Sequence, residues 1–176
     1  MTVNPAEGYI IRLARLEELP RLTEIELDAF ATLADARGDA GEAHALPQDL
    51  LRQSLDDDLL FVAADSQNRP MAFLAGTERD ETLYINEVDV ARAWQRRGVG
   101  RRLMATAIET ARASRLSGVT LTTDRFVPFN APFYARLGFA EIGDDDALPQ
   151  LRQTLAMEVA VGGGGERRVA MILRFV

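Results

Sequence analysis

The feature that most constrains this chain is the passage from Thr82 to Leu116, where a strand pattern runs through a glycine-bearing turn straight into an amphipathic helix. Thr82 to Val90 reads as a strand. Gly100 to about Leu116 reads as a helix, with Leu103, Met104, Ala107, Ile108 and Ala111 on one face. Gly118 is expected to stop that helix, and Val119 to Thr123 is again strand-like. Strand, helix and strand in such close succession predict a parallel crossover. The turn Gln95-Arg96-Arg97-Gly98-Val99-Gly100 would bring successive backbone N–H groups and the positive end of a helix dipole together as an anion site. Gly98 and Gly100 leave room for a phosphate to approach the backbone. Arg92, Arg96, Arg97, Arg101 and Arg102 concentrate positive charge there, on a chain of formal net charge −7. Glycine pairs also occur at ordinary helix starts, and arginine clusters also arise as solvated faces. A dinucleotide fingerprint would need a third glycine where this chain has Leu103, and an early parallel strand before it.

The rest of the pattern supports one α/β (α+β) domain over residues 1–176, with its core from about residue 8. Tyr9 to Leu13 is strand-like. From Leu16 to about Ala36, Leu19, Leu22, Ile25, Glu26, Ala29, Phe30 and Leu33 share one face of a helix with Pro20 in its first turn. A polar loop, Arg37 to Leu46, precedes a short helix from Pro47 to about Leu55. Leu59 to Ala64, Met71 to Thr77 and Thr82 to Val90, separated by Ser66–Pro70 and Arg79–Glu81, predict an antiparallel meander. Beyond the crossover come a short helix at Asn130–Leu137 ended by Gly138, a brief strand at Phe139–Ile142, a helix from Leu148 to about Val161, a glycine turn and a last strand from Val169. The expected sum is a central, mixed, mostly antiparallel twisted sheet of about seven strands flanked by four or five helices.

Composition excludes several chemistries. The chain has no cysteine, so disulfides, thiolate metal sites and a cysteine nucleophile are ruled out. One histidine, His44, cannot make a multi-histidine metal site, and nothing near it suggests a serine triad. No metal is expected. Net negative charge argues against nucleic acid as main partner. No apolar run reaches the length of a membrane helix, and Met1 to Gly8 lacks the marks of a secretory signal, so no membrane association and a cytoplasmic location are expected.

Gln95-Arg96-Arg97-Gly98-Val99-Gly100 resembles the acyl-CoA signature of the GNAT N-acetyltransferase superfamily, Gln/Arg-x-x-Gly-x-Gly/Ala. Asn130-Ala131-Pro132-Phe133-Tyr134-Ala135-Arg136-Leu137-Gly138-Phe139 is similar to that family's second landmark. Both motifs in this order, separated by a helix and a strand, are far more specific than either alone. The order of elements matches the family from about residue 8 to the end.

The resemblance implies transfer of an acetyl group from acetyl-CoA to a primary amine, in a small molecule or peptide, within a ternary complex. It implies that Val88 and Val90 bond the pantetheine arm, with the Val88 N–H polarising the thioester carbonyl. Gln95, Arg96, Arg97, Gly98, Val99, Gly100 and Arg101 would hold the pyrophosphate, and Asn130 would sit near the pantetheine end. Tyr134 matches the family's acid toward the leaving thiolate; a phenol with a pKa of about 10 keeps its proton at neutral pH. Glu87 is the candidate base, with Asp89 and Asp124 as further options. Strand alternation puts Leu83, Ile85, Glu87 and Asp89 on one face, a phase that a bulge would change. Asn86 stands where related sequences often carry an acid, and Arg92 where they often carry proline. Phe30, His44, Leu46, Asp124, Phe126 and Phe129 are candidate acceptor-site residues by analogy, although Phe30 also fits a core face. Trp94 reads as a packing residue. The Asp56–Asp58 and Asp144–Asp146 runs read as solvated ends. A homodimer through the last strand and its preceding helix is a further expectation. The rival functions are a non-catalytic acyl-CoA sensor or partner module, and a nucleotide-binding regulator.

Overall fold

The computed structural model describes residues 3–4, 8–38, 45–143, 148–162 and 165–176. His44, the Asp144–Asp146 run and the centre of the glycine turn lie outside the described residues. The chain forms two compact units, Met1–Thr77 with Asn86–Glu109, and Glu78–Ile85 with Thr110–Val176. Three elements, β4, β5 and α3 below, run through both units.

In the first unit the elements are β1 (Val3–Asn4), β2 (Tyr9–Leu13), α1 (Leu19–Arg37), α2 (Gln48–Asp56), β3 (Leu60–Asp65), most of β4 (Pro70–Arg79), the end of β5 (Thr82–Val90) and most of α3 (Val99–Ala113). Its strands follow the order β1-β2-β3-β4-β5. Strand β1, only two residues long, was not expected; it pairs Val3 with Ile10 and Asn4 with Tyr9. The β2–β3 and β3–β4 ladders are antiparallel, as the meander predicts, with a register shift between Ala63 and Ala64. The junction from β2 to α1 is pinned by Glu18. Its carboxylate accepts from both terminal nitrogens of the Arg12 guanidinium at 2.9 and 2.6 Å and from the Arg15 N–H at 2.9 Å. Pro20 sits at the start of α1, where its missing N–H costs nothing, and Gly38 closes the helix at φ 67. Leu22, Ile25, Leu51, Leu60, Val62 and Phe73 are fully enclosed in one apolar cluster. Each contributes about 1.5–3 kcal/mol through the water it sheds.

The second unit holds the end of β4, the start of β5, the end of α3, β6 (Gly118–Asp124), α4 (Ala131–Ala135), β7 (Ala140–Ile142), α5 (Pro149–Gly162) and β8 (Arg168–Arg174). Here the order is β5-β6-β8-β7. The crossover is parallel, as expected, pairing Thr82 with Gly118, Leu83 with Val119 and Tyr84 with Thr120. That ladder ends at Tyr84, whereas β6 pairs with β8 along its whole length. The β4–β5 turn puts consecutive left-handed residues at Asp80 and Glu81, φ 49 and 58, the twist a tight hairpin requires.

Around the end of α3 the structure departs from the expectation twice. Helix α3 ends at Ala113 rather than Leu116, and the left-handed residue after it is Arg115, φ 61, not a glycine. Gly118 is not a helix stop. It opens β6, where any Cβ would collide with the Leu173 carbonyl of β8, so only glycine fits.

Candidate functional site

Strand β5 ends with the Ala91 N–H donating to the Met71 carbonyl at 2.9 Å. A short 3-10 turn, Arg92–Trp94, follows. It is fastened to α1, because the Arg92 N–H donates to Asp28 Oδ2 at 2.7 Å. Trp94 packs on the apolar cluster, meets Tyr9 edge-on with centroids 6.4 Å apart, and carries the Arg97 guanidinium 5.1 Å from its ring centre. It is a packing residue, as expected. Gln95 braces the turn: its Nε2 donates to the Val90 carbonyl at 2.9 Å and its Oε1 accepts from Thr32 Oγ1 at 3.0 Å. The brace joins strand, turn and α1.

Arg96 and Gly98 then adopt left-handed backbone, φ 61 and 81. Alternating the handedness along consecutive residues turns neighbouring N–H groups toward one side, which makes a concave anion seat. The Arg102 N–H donates to the Gly98 carbonyl at 3.1 Å, the first bond of α3. The amides of Val99, Gly100 and Arg101 therefore precede the helical ladder at the positive end of the helix dipole. A Cβ on Gly98 would meet nothing within 4 Å, and one on Gly100 would rest 3.7 Å from Val90 Cγ2, so the seat is open. Arg96, Arg97 and Arg101 are exposed around it. This turn can take a phosphate or diphosphate.

Beside it on β5, the Val88 N–H donates to Glu87 Oε1 at 3.3 Å. Asn86 Nδ2 donates to Thr77 Oγ1 at 3.2 Å. Glu87 and Asp89 share one face, as alternation predicts, and Glu26 of α1 joins them. One carboxylate oxygen from each lies within 4.8 Å of the others, an arrangement that could also hold a cation. Burial pushes the Asp89 carboxyl well above the ordinary carboxylate range, helped by the charges of Glu87 and Glu26. Burial likewise raises Glu26, against the Leu46 N–H that donates to its Oε1 at 2.8 Å. Such groups keep protons, or exchange them, at pH values where an exposed acid is fully ionised. Glu26 was not singled out as a site residue from the sequence; its signal was an acid among the apolar positions of its helix. Phe30, on the same helix, is half-buried.

In the second unit, Asp124 is wholly buried and accepts from the N–H groups of Phe126 at 2.8 Å and Val127 at 3.2 Å. Arg167 adds two bonds to its Oδ2, at 3.1 and 3.0 Å. Burial opposes the charge, but these bonds outweigh it and hold the carboxyl below its usual range. Asp124 thus knits the loop after β6 and is a poor proton acceptor. Phe126 is 58% exposed, with the Arg167 guanidinium 5.9 Å from its ring. Asn130 starts α4, its carbonyl accepting from Phe133 and Tyr134 at 2.8 and 3.1 Å. Tyr134 is 8% exposed and packs edge-on against Phe133 and Phe139. Helix α4 stops earlier than expected, at Ala135 with Arg136 as its cap; Gly138, left-handed at φ 95, lies two residues beyond that cap.

The family model for the acetyltransferase (GNAT) family matches residues 19–139. Among solved structures, the fold is similar to N-acetylglutamate synthase from Neisseria gonorrhoeae, complexed with coenzyme A and N-acetylglutamate. The TM-score is 0.69 at 16% identity, over 96% of this chain and 35% of that one. This chain thus spans about a third of that synthase. Similarity extends over nearly the whole of two smaller proteins. The ribosomal-protein-S18-alanine N-acetyltransferase from Escherichia coli gives a TM-score of 0.66 at 18% identity, covering 94% and 93% of the chains. The PaiA N-acetyltransferase from Thermoplasma acidophilum, in complex with coenzyme A, gives 0.68 at 12%, covering 95% and 99%. Among the described residues, no helix is long and apolar enough to cross a membrane.

Proposed function

Because the chain belongs to the acetyltransferase (GNAT) family, we propose that it transfers the acetyl group of acetyl-CoA directly to a primary amine of a small molecule or peptide. The observation that carries this is the braced turn after β5, with left-handed Arg96 and Gly98 and helix amides that begin at Val99.

In this proposal the diphosphate of coenzyme A is bound by the amides from Gly98 to Arg101, with Arg96, Arg97 and Arg101 supplying charge. Gln95 holds the turn in shape through the Val90 carbonyl and Thr32. Val90 and Val88 offer main-chain groups to the pantetheine arm. The Val88 N–H donates to the thioester oxygen as that oxygen gains charge. Its bond to Glu87 Oε1 supports this, since an N–H that a side chain accepts from can be turned to a ligand when that side chain rotates. Glu87 then stands beside the reacting centre as the base that takes the proton of the attacking amine. The amine nitrogen forms its bond to the acyl carbon, the carbon–sulfur bond breaks, and the departing thiolate takes a proton, a role that Tyr134 holds by its motif alone. Asn130 has a place in the pantetheine pocket by its motif alone. No protein thiol is available for a covalent relay, because the chain has no cysteine.

The test is an acceptor panel with acetyl-CoA, reading release of coenzyme A thiol. The sequence contains neither cysteine nor lysine, so neither a protein thiol nor lysine self-acetylation contributes to the signal. Acceptor-dependent thiol release is expected. Tight coenzyme A binding with no release on any amine would favour a sensor instead.

A further inference from the structure

Of the clusters outside the diphosphate seat, Glu26, Glu87 and Asp89 stand apart. Three carboxyl oxygens within 4.8 Å of one another repel when ionised, and the charges that act on Asp89 are the negative ones of Glu87 and Glu26. A second observation points outward to a ligand. Glu26 is only 7% exposed, and its Oε2 is buried with no hydrogen-bond partner, while Oε1 is satisfied by the Leu46 N–H. A buried carboxylate oxygen left without a donor is costly. The donor that suits it carries positive charge and several N–H groups.

We infer that Glu26 and Asp89 bind a second, non-reacting ammonium group of the acceptor, so that the acceptor class is a diamine or polyamine. This rests on the proposed acetyl transfer at Val88. The division of labour follows from charge. An ammonium gripped by several carboxylates is stabilised in its protonated form, which suppresses its nucleophilicity. The trio is therefore badly suited to hold only the reacting nitrogen, and well suited to hold its neighbour. Glu87, whose Oε1 lies 3.3 Å from the Val88 nitrogen, faces the reacting end, and Glu26 and Asp89 face the held end. An ammonium offers three N–H donors in a small volume, matching the spacing of the oxygens. An acceptor with its own carboxylate, such as glutamate, is repelled.

The experiment compares 1,4-diaminobutane, butylamine and glutamate as acceptors, each with acetyl-CoA. The parent is expected to favour the diamine over butylamine in kcat/KM by about tenfold or more, the scale of a charge-assisted hydrogen bond. Glutamate is expected to be the poorest. Glu26→Gln keeps an acceptor for the Leu46 N–H and should collapse the diamine-to-butylamine ratio toward one, mainly through KM. Asp89→Asn should do the same, a check should the first variant fold poorly. Equal use of diamine and butylamine by the parent, preference for glutamate, or an unchanged ratio in both variants would overturn the inference. So would calorimetric binding of manganese or magnesium ions by the parent that is lost in Glu26→Gln. Titration of coenzyme A into the parent tests the underlying acetyl-transfer proposal separately: no binding there removes that proposal, whatever the acceptor data.

Discussion

Gly98→Ala and Gly100→Ala, two positions apart in one turn, are expected to move stability in opposite directions. Gly98 lies at φ +81 and a Cβ there meets nothing within 4 Å, so the whole cost is backbone. An L-residue in that region costs roughly 1–2 kcal/mol. Gly100 lies in the first turn of α3, where a Cβ makes ordinary contact with Val90 Cγ2 at 3.7 Å. Alanine there gains about 0.4–1 kcal/mol by restricting the unfolded chain. In a chain of this size about 1 kcal/mol shifts Tm by about 2–4 °C. Gly98→Ala should thus melt about 2–8 °C below the parent, and Gly100→Ala about 1–4 °C above it. Repeating the scans with coenzyme A separates shape from stability. At about 100 times Kd the parent gains about 2.7 kcal/mol. Gly98→Ala is expected to lose at least half of that increment, because its turn relaxes away from the left-handed form that aims the amides. Gly100→Ala is expected to keep it. Equal melting of Gly98→Ala and parent would refute the role given to residue 98, and a lowered Tm for Gly100→Ala would refute the open space assigned to residue 100.

Tyr134→Phe should lower kcat by about 10²-fold, the low end for a general acid, with coenzyme A affinity retained by calorimetry; undiminished turnover would remove it as the acid. Asp89 has a raised pKa in the folded state, from burial first and then Glu87 and Glu26. Its contribution is therefore greatest below the unfolded value of about 4 and is lost as pH rises through the folded value. Asp89→Asn should raise Tm more at pH 8 than at pH 4, and an equal gain at both would contradict the burial of that charge. Asp124→Ala strands the N–H groups of Phe126 and Val127 and should cost about 2–3 kcal/mol in chemical denaturation. Arg167→Ala should cost less, about 1 kcal/mol or under, since that side chain is 45% exposed; the reverse order would show that the ion pair, not the loop amides, matters.

Elements whose signals are local were legible in the sequence. Strand β5 begins and ends where its β-branched and aromatic run does, from Thr82 to Val90. Pro20 and Pro47 mark helix starts because each fixes one backbone angle. What was not legible depends on partners distant in sequence. Gly118 looks like a helix stop until the Leu173 carbonyl of β8 is beside it. The two-residue β1 is too short to leave a pattern. The turn proposed to seat the diphosphate could be picked out because its residues are contiguous, yet Gln95 bonding Thr32 could not, because α1 supplies the partner. Glu26 meets Glu87 and Asp89 only once the fold brings residues some sixty positions apart together. Asp124 reads from the sequence as a further option for the base and as an acceptor-site candidate, and only the fold shows Arg167 and two amides claiming it.

Amide chemical shifts followed by NMR during titration with coenzyme A address the central claim most directly. The N–H resonances of Gly98, Val99, Gly100 and Arg101 are expected to move first and furthest, downfield as they bond the diphosphate. Saturable binding that leaves those four amides unshifted would contradict it.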